Sequence, residues 1–256
     1  MSFLFIFVFL IIAGFVAGLL SSIAGLASLA SYPALLLIGL PPVLANVTNT
    51  TALVFTGIGS LISSLKELHG HWKKVMVLTL LSTGGSILGS LLLLLAPAAS
   101  FEKVVPFFIL FAGILLLSSS RKNNHFQFNF QRIPDFWLNL LSFGGIFLVG
   151  GYTGYFGAAG GVITLAILLV IINEDFATVN AVKNLLGFAC NLIAAIIFIF
   201  KTKIDWTMVI PLGIGLLIGG YVGPVIVRHA NIHLLRILIA LAAFGLAAYL
   251  FITAYF

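Results

Sequence analysis

The chain reads as long apolar runs broken by short polar interruptions. Residues 1–65 contain no Asp, Glu, Lys or Arg, and further charge-free runs cover 75–101, 104–120, 136–173, 184–200, 206–227 and 237–256. At about 1.5 Å per helical residue the first run reaches roughly 98 Å, about three crossings of a ~30 Å hydrocarbon core. Only helices and closed barrels satisfy the backbone in lipid. Barrel strands alternate apolar and polar side chains, whereas stretches such as LLLLL at 91–95 do not. The pattern therefore predicts an all-α polytopic membrane protein. Its apolar pieces fall near 3–20, 26–40, 43–65, 75–96 and 104–118, then 136–151, 162–172, 177–200, 206–227 and 234–255.

Composition sharpens this reading. Hydrophobic residues make up 62% of the 256 and charged residues 7%, against about 45–50% and about 25% in soluble domains. A soluble enzyme, a disordered chain, a coiled coil and a disulfide-stapled domain are excluded on these grounds. The net charge of +6 does not point to nucleic acid. Cations that hold cytoplasmic loops account for it. Lys66, Lys73 and Lys74 flank one such loop, and Arg121, Lys122 and Arg132 occupy another. Trp72, Trp137 and Trp206 each sit at the edge of an apolar run, where interfacial anchors belong. Cys190 is the single cysteine and permits no internal disulfide. The first segment lacks a basic n-region and reads as a retained helix rather than a leader.

The chain resembles itself when shifted by about 132–136 residues. AGLLSSIAGLASL at 17–29 faces TGYFGAAGGVITL at 153–165, and VTN at 47–49 faces VKN at 182–184. HGHWKKV at 69–75 faces KIDWTMV at 203–209. Gly85 and Gly89 face Gly219 and Gly223, and Gly113 faces Gly245. Two repeats are expected, 1–120 and 135–256, joined by a cytoplasmic linker at 121–134. The second piece of each half is too short to span and follows a small-residue break, SSIAGLAS at 21–28 and GAAGG at 157–161. Paired, interrupted segments of this kind point to a transporter site near the midplane. If the short pieces count as passes or as hairpins with their neighbours, the repeats are inverted, which is the preferred topology. Full re-entrance would make them parallel.

Three groups of residues carry the candidate chemistry. The third piece of each half has a polar stripe: Asn46, Asn49 or Thr50, Leu53, Gly57 and Ser60 in the first, and Asn180, Asn184, Gly187 and Asn191 in the second. Such a stripe lines a substrate path or bonds helices together. At the breaks, a helix restarting after Gly25 or after Gly160 and Gly161 offers free N–H groups and a positive dipole end to an anion, with Ser21 and Ser22 adding hydroxyls. Tight helix packing is the alternative. Lys183 lies inside an apolar segment, either as a site residue or snorkelling towards the surface. His69 and His71 sit among lysines and predict no metal site. No protease, lipase or P-loop signature occurs, so no enzyme and no cofactor are expected.

Glycine-rich break, Pro33, Ala45 and the TNT cluster at 48–50, followed by GYFGAAGG and AVKNLLG in the second half, together resemble the TauE/SafE family of sulfite exporters, also called TSUP. The resemblance covers nearly the whole chain. It implies a carrier of sulfite, sulfoacetate or other organosulfonate anions in the bacterial inner membrane. Carried over residue by residue, it points to Gly18, Gly25, Pro33, Ala45 and Thr48, and to Gly154, Gly157, Gly160, Gly161, Ala181 and Asn184. The first-half glycine cluster is diluted here, and Lys183 with Asn184 replaces a small residue and Thr. The combined substrate-binding set is Ser21, Ser22, Gly25, Thr48, Asn49, Thr50, Gly157, Gly160, Gly161, Lys183, Asn184 and Asn191. Alternating access is the expected mechanism, with an anion channel or a membrane-embedded scaffold or enzyme as the rival readings. No intramembrane carboxylate stands out as a proton relay, which leans towards uniport. The expected partners are a small sulfur anion and the lipid bilayer, with a homo-oligomer left open.

Overall fold

The computed structural model describes residues 3–70, 72–120, 135–172, 174–229, and positions 241, 244, 245, 247–249, 251, 252, 254 and 255. Among them are nine α-helices: α1 Phe3–Ala24, α2 Ser28–Leu37, α3 Pro42–Ser64, α4 Trp72–Leu95, α5 Ala98–Ser120, α6 Asp135–Tyr155, α7 Gly160–Ile171, α8 Phe176–Lys201 and α9 Trp206–His229, with a 3-10 turn at Lys66–Leu68. The linker at 121–134 and most of the segment at 234–255 lie outside the described residues. Four helices are long and apolar enough to cross a bilayer: Phe3–Ala24, Trp72–Leu95, Phe176–Lys201 and Trp206–Ile226. The chain is a multi-pass membrane protein.

α3 shows how the sequence reaches this arrangement. Its polar side chains, among them Asn46, Thr48, Asn49, Thr50, Thr56 and Ser60, are buried, while Phe55, Ile58 and Ile62 face outwards. The order is inside-out relative to a soluble helix because lipid is the apolar solvent and polar groups must find partners within the bundle. α2 and α7 hold 10 and 12 residues, about 15 and 18 Å at ~1.5 Å per residue. Each is roughly half of a ~30 Å core. Gly25 and Gly157, both at φ +72°, turn the chain at the breaks, because only glycine enters the left-handed region without penalty.

The two halves interlock. α1 packs along α9 in the same direction: a Cβ on Gly14 would meet the Leu212 carbonyl oxygen at 2.3 Å, one on Gly18 the Leu216 oxygen at 2.6 Å, and one on Gly223 the Ser22 Cβ at 2.4 Å. α4 packs along α6 in the same way, with Gly85 against Phe147, Gly89 against Gly151 and Gly154 against Ser86. Thus the first helix of each half lies in the groove of the fourth helix of the other half. Lys74 Nζ, in the first turn of α4, donates to the Ile171 carbonyl at the end of α7, and Leu68 packs with Ile172 and Val179. The α3–α4 and α7–α8 connections therefore share one end of the bundle. α3 arrives at that end and α8 departs from it, so these equivalent helices run in opposite directions.

Side-chain bonds refine the self-alignment. Asn46 Nδ2 donates to the Tyr155 carbonyl at 2.9 Å, and Asn180 Nδ2 donates to the Ser22 carbonyl at 3.0 Å. Both bonds tie the start of a third helix to the end of the other half's first helix. With Asn46 matched to Asn180, Asn49 matches Lys183 and Thr50 matches Asn184. This register is one residue from the VTN/VKN pairing. Likewise the two left-handed glycines match Gly25 to Gly157, whereas the sequence pairing sets Gly25 against Gly161.

Candidate functional site

The two breaks meet in the middle of the molecule. A Cβ on Gly25 would lie 2.4 Å from Gly161 Cα, so only paired glycines let the backbones touch here. Around this contact lies a cavity of about 750 Å³, its open mouth included, lined by both breaks and by α3, α4, α6 and α8. Ala27, Ser28 and Gly161, where the two half-length helices begin, are among its walls. Among the described residues, their backbone N–H groups meet no backbone carbonyl. Two helix N-termini thus bring unpaired donors and positive dipole ends into one polar space.

Lys183 is buried, and its ammonium donates to the Ser21 and Ser22 carbonyls at 3.0 and 3.1 Å. It therefore turns inward and does not snorkel. These carbonyls lie at the negative end of the α1 dipole, and the Gly25 N–H and Asn180 Nδ2 also donate to Ser21 and Ser22 at 2.7 and 3.0 Å, so the cation adds charge compensation to a turn already bonded. Lys183 also lines the cavity, and among the described residues it is the one charged side chain to do so.

The hydroxyls divide into two groups. Ser60, Ser82 and Thr164 direct their protons to backbone carbonyls of their own helices, a common way for a helix in lipid to satisfy a hydroxyl. Ser28 Oγ accepts from Asn49 Nδ2 at 3.2 Å. Thr56 Oγ1 and Asn184 Nδ2 are buried on the cavity wall with no hydrogen-bond partner. Buried polar atoms seldom stay unpaired without a reason, since each costs about 1–3 kcal/mol.

Of the residues singled out from the sequence, the cavity gathers Ser21, Gly25, Gly157, Gly161, Lys183, Asn184 and Asn191. Ser22 stands behind it, its hydroxyl donating to Gly18 and Gly220 carbonyls at 2.8 and 3.0 Å. Gly160 packs on Thr153. Thr48, Asn49 and Thr50 are buried in α3 away from the wall. Thr56, Ser28, Ser82 and Thr153 line the cavity without having been flagged. Thr56 continues the α3 stripe one turn beyond Leu53, so extending the helical period would have reached it. Ser82 and Thr153 carry no such signal, because only the α4–α6 contact brings them in.

A family model described as "Sulfite exporter TauE/SafE" matches residues 10–250. A relative from Sinorhizobium sp, "Probable membrane transporter protein ORF9", is 25% identical over 239 residues, covering 93% of this chain and 90% of its own. No solved structure matches. An all-helical bundle, two half-length helices meeting at a polar cavity and a match over nearly the full length agree, and the chain belongs to the TauE/SafE sulfite exporter family of membrane transporters, which are not enzymes.

Proposed function

We propose that this transporter carries a small oxyanion of the sulfite or organosulfonate class, held in the central cavity between the two half-length helices. One observation carries the reading: among the described residues Lys183 is the one charged side chain on the cavity wall, and Thr56 Oγ1 and Asn184 Nδ2 stand unpaired beside it. A cation, two helix N-termini and donor side chains suit a compact oxyanion, whose several acceptor oxygens satisfy them together. The opposite sense of α3 and α8 supports inverted repeats, and with them alternating access about the Gly25–Gly161 contact. With Lys66, Lys73 and Lys74 at one end, the positive-inside rule supports placing that end in the cytoplasm.

The test is uptake of radiolabelled sulfite and of an alkylsulfonate into proteoliposomes, with unlabelled anion trapped inside to drive counterflow. Saturable counterflow that falls about tenfold or more in Asn184→Ala and Thr56→Val is expected, one charge-assisted hydrogen bond being worth about 1.5–3 kcal/mol. Wild-type flux in both variants would remove the site assignment. Flux without saturation would replace the carrier with a channel.

A further inference from the structure

The cavity is not centred on the pseudo-symmetry of the halves. On α8 its wall includes Lys183 and Asn184, and on α4 it includes Ser82, all towards the Lys74 end. Their equivalents at the other end are Asn49, Thr50 and Leu216, and none lines the cavity. Asn49 is 0% exposed and Thr50 2%. The same structural position is thus wall in one half and packed interior in the other.

That packed interior is poorly satisfied. Asn46 Oδ1, Thr48 Oγ1 and Asn49 Oδ1 are buried without hydrogen-bond partners. Three unpaired acceptors within four residues of one helix are costly in a dry bundle. They are expected of a surface that meets water or solute in another conformation.

Resting on the anion-carrier reading, we propose that Asn49 and Thr50 form the substrate-contacting wall of the opposite-facing state, in the place that Lys183 and Asn184 hold here. Exchange of the two halves' conformations moves the cavity towards the Pro41 end, opens it onto Asn49 and Thr50, and packs Lys183 and Asn184 away. The two states then present unlike versions of one site. At the Lys74 end the anion meets a cation and an amide; at the Pro41 end it meets an amide and a hydroxyl. Binding is accordingly tighter at the Lys74 end, and residues 49 and 183 set the difference.

Two experiments test this. The first needs no substrate: Asn49→Cys and Asn184→Cys, each in a Cys190→Ser background, are treated with a membrane-impermeant thiol reagent from either face of oriented membrane vesicles. Asn184→Cys is expected to react from the Lys74 face and Asn49→Cys from the opposite face. Reaction of both from one face overturns the proposal, as does Asn49→Cys protected from both faces while Asn184→Cys reacts. Thr50→Cys repeats the measurement where Asn49→Cys does not fold. The second uses labelled sulfite, with half-saturation measured separately on each face. Lys183→Asn is expected to raise half-saturation about tenfold at the Lys74 face and to make the faces alike. The exchange variant Asn49→Lys with Lys183→Asn should reverse the wild-type order. An unchanged order in the exchange variant overturns the assignment of asymmetry to these positions. Absence of sulfite flux in the wild type overturns the substrate reading and leaves the thiol result to decide this one.

Discussion

Gly89 and Gly151 lie in the same α4–α6 contact yet should respond oppositely to a single methyl group. A Cβ on Gly89 would sit 1.8 Å from the Gly151 carbonyl oxygen, whereas a Cβ on Gly151 would find the Gly85 oxygen at 3.4 Å, an ordinary contact. Restoring normal contact around Gly89→Ala requires the helices to part by about 1.5 Å, because the obstacle is backbone and has no rotamer to yield. Overpacking of this kind costs about 1–3 kcal/mol. The rigid neighbour places Gly89→Ala at the upper end, and helix propensity returns up to ~1 kcal/mol, leaving about 2 kcal/mol. For a chain of this size that is about 4–8 °C in melting temperature. Gly151→Ala keeps the propensity gain without the clash and should melt at or slightly above the wild type. The assay is thermal unfolding in detergent, followed by size-exclusion recovery of the folded peak. Equal losses for the two variants, or no loss for Gly89→Ala, would refute the reasoning that backbone proximity rather than glycine content holds this interface.

Other outcomes follow from single contacts. Asn46→Ala removes the cross-half side-chain donor of the Tyr155 carbonyl and should cost about 1 kcal/mol in unfolding measurements, within the range for hydrogen bonds in helical membrane proteins; Asn180→Ala should cost less, because Lys183 still donates to the Ser22 carbonyl at 3.1 Å. Equal losses would show that the Lys183 bond does not compensate at Ser22. Asp175 caps α8, accepting from the Thr178 N–H at 3.0 Å, and bonds from the Thr178 side chain and backbone hold its carboxyl below the usual 3.8. A lowered folded value gives stability above the unfolded value and loses it as pH falls through the folded one. The gap in melting temperature between wild type and Asp175→Ala should therefore be full near neutrality and close in acid below about pH 4. Ala159, at φ +59°, holds a left-handed conformation that costs a non-glycine residue about 1–2 kcal/mol, so Ala159→Gly should raise the melting temperature by a few degrees. A fall would show that its methyl group, buried with Leu20, Ile23 and Leu26, matters more than the strain.

Much of the architecture was legible because lipid enforces simple rules. A charge-free run must be helix, so the segments from α1 to α9 could be placed within a few residues. The largest offset is the start of α5, which begins at Ala98 rather than 104 and so takes Glu102 and Lys103 into its first turns. At the breaks α1 runs on to Ala24 and α6 to Tyr155, since small residues continue a helix in a bundle. The polar faces of α3 and α8 were legible from their period, but which residues meet the cavity was not. Asn49 and Lys183 hold equivalent positions, yet one is packed and the other lines the wall. No local pattern distinguishes them.

What the sequence determined by itself is the class and the plan: an all-helical membrane protein with two short, interrupted segments, because apolar run length and missing charge depend on neighbours along the chain. What tertiary structure alone decided is which groups meet. Gly25 touching Gly161, Lys183 capping α1, Thr56 and Asn184 unpaired on one wall, and the lean of the cavity towards Lys74 all arise between residues more than a hundred positions apart or from opposed halves. Such contacts follow from how the helices cross in three dimensions, and helix crossing is fixed by backbone approach at paired small residues, a property of surfaces in contact that a linear pattern does not encode.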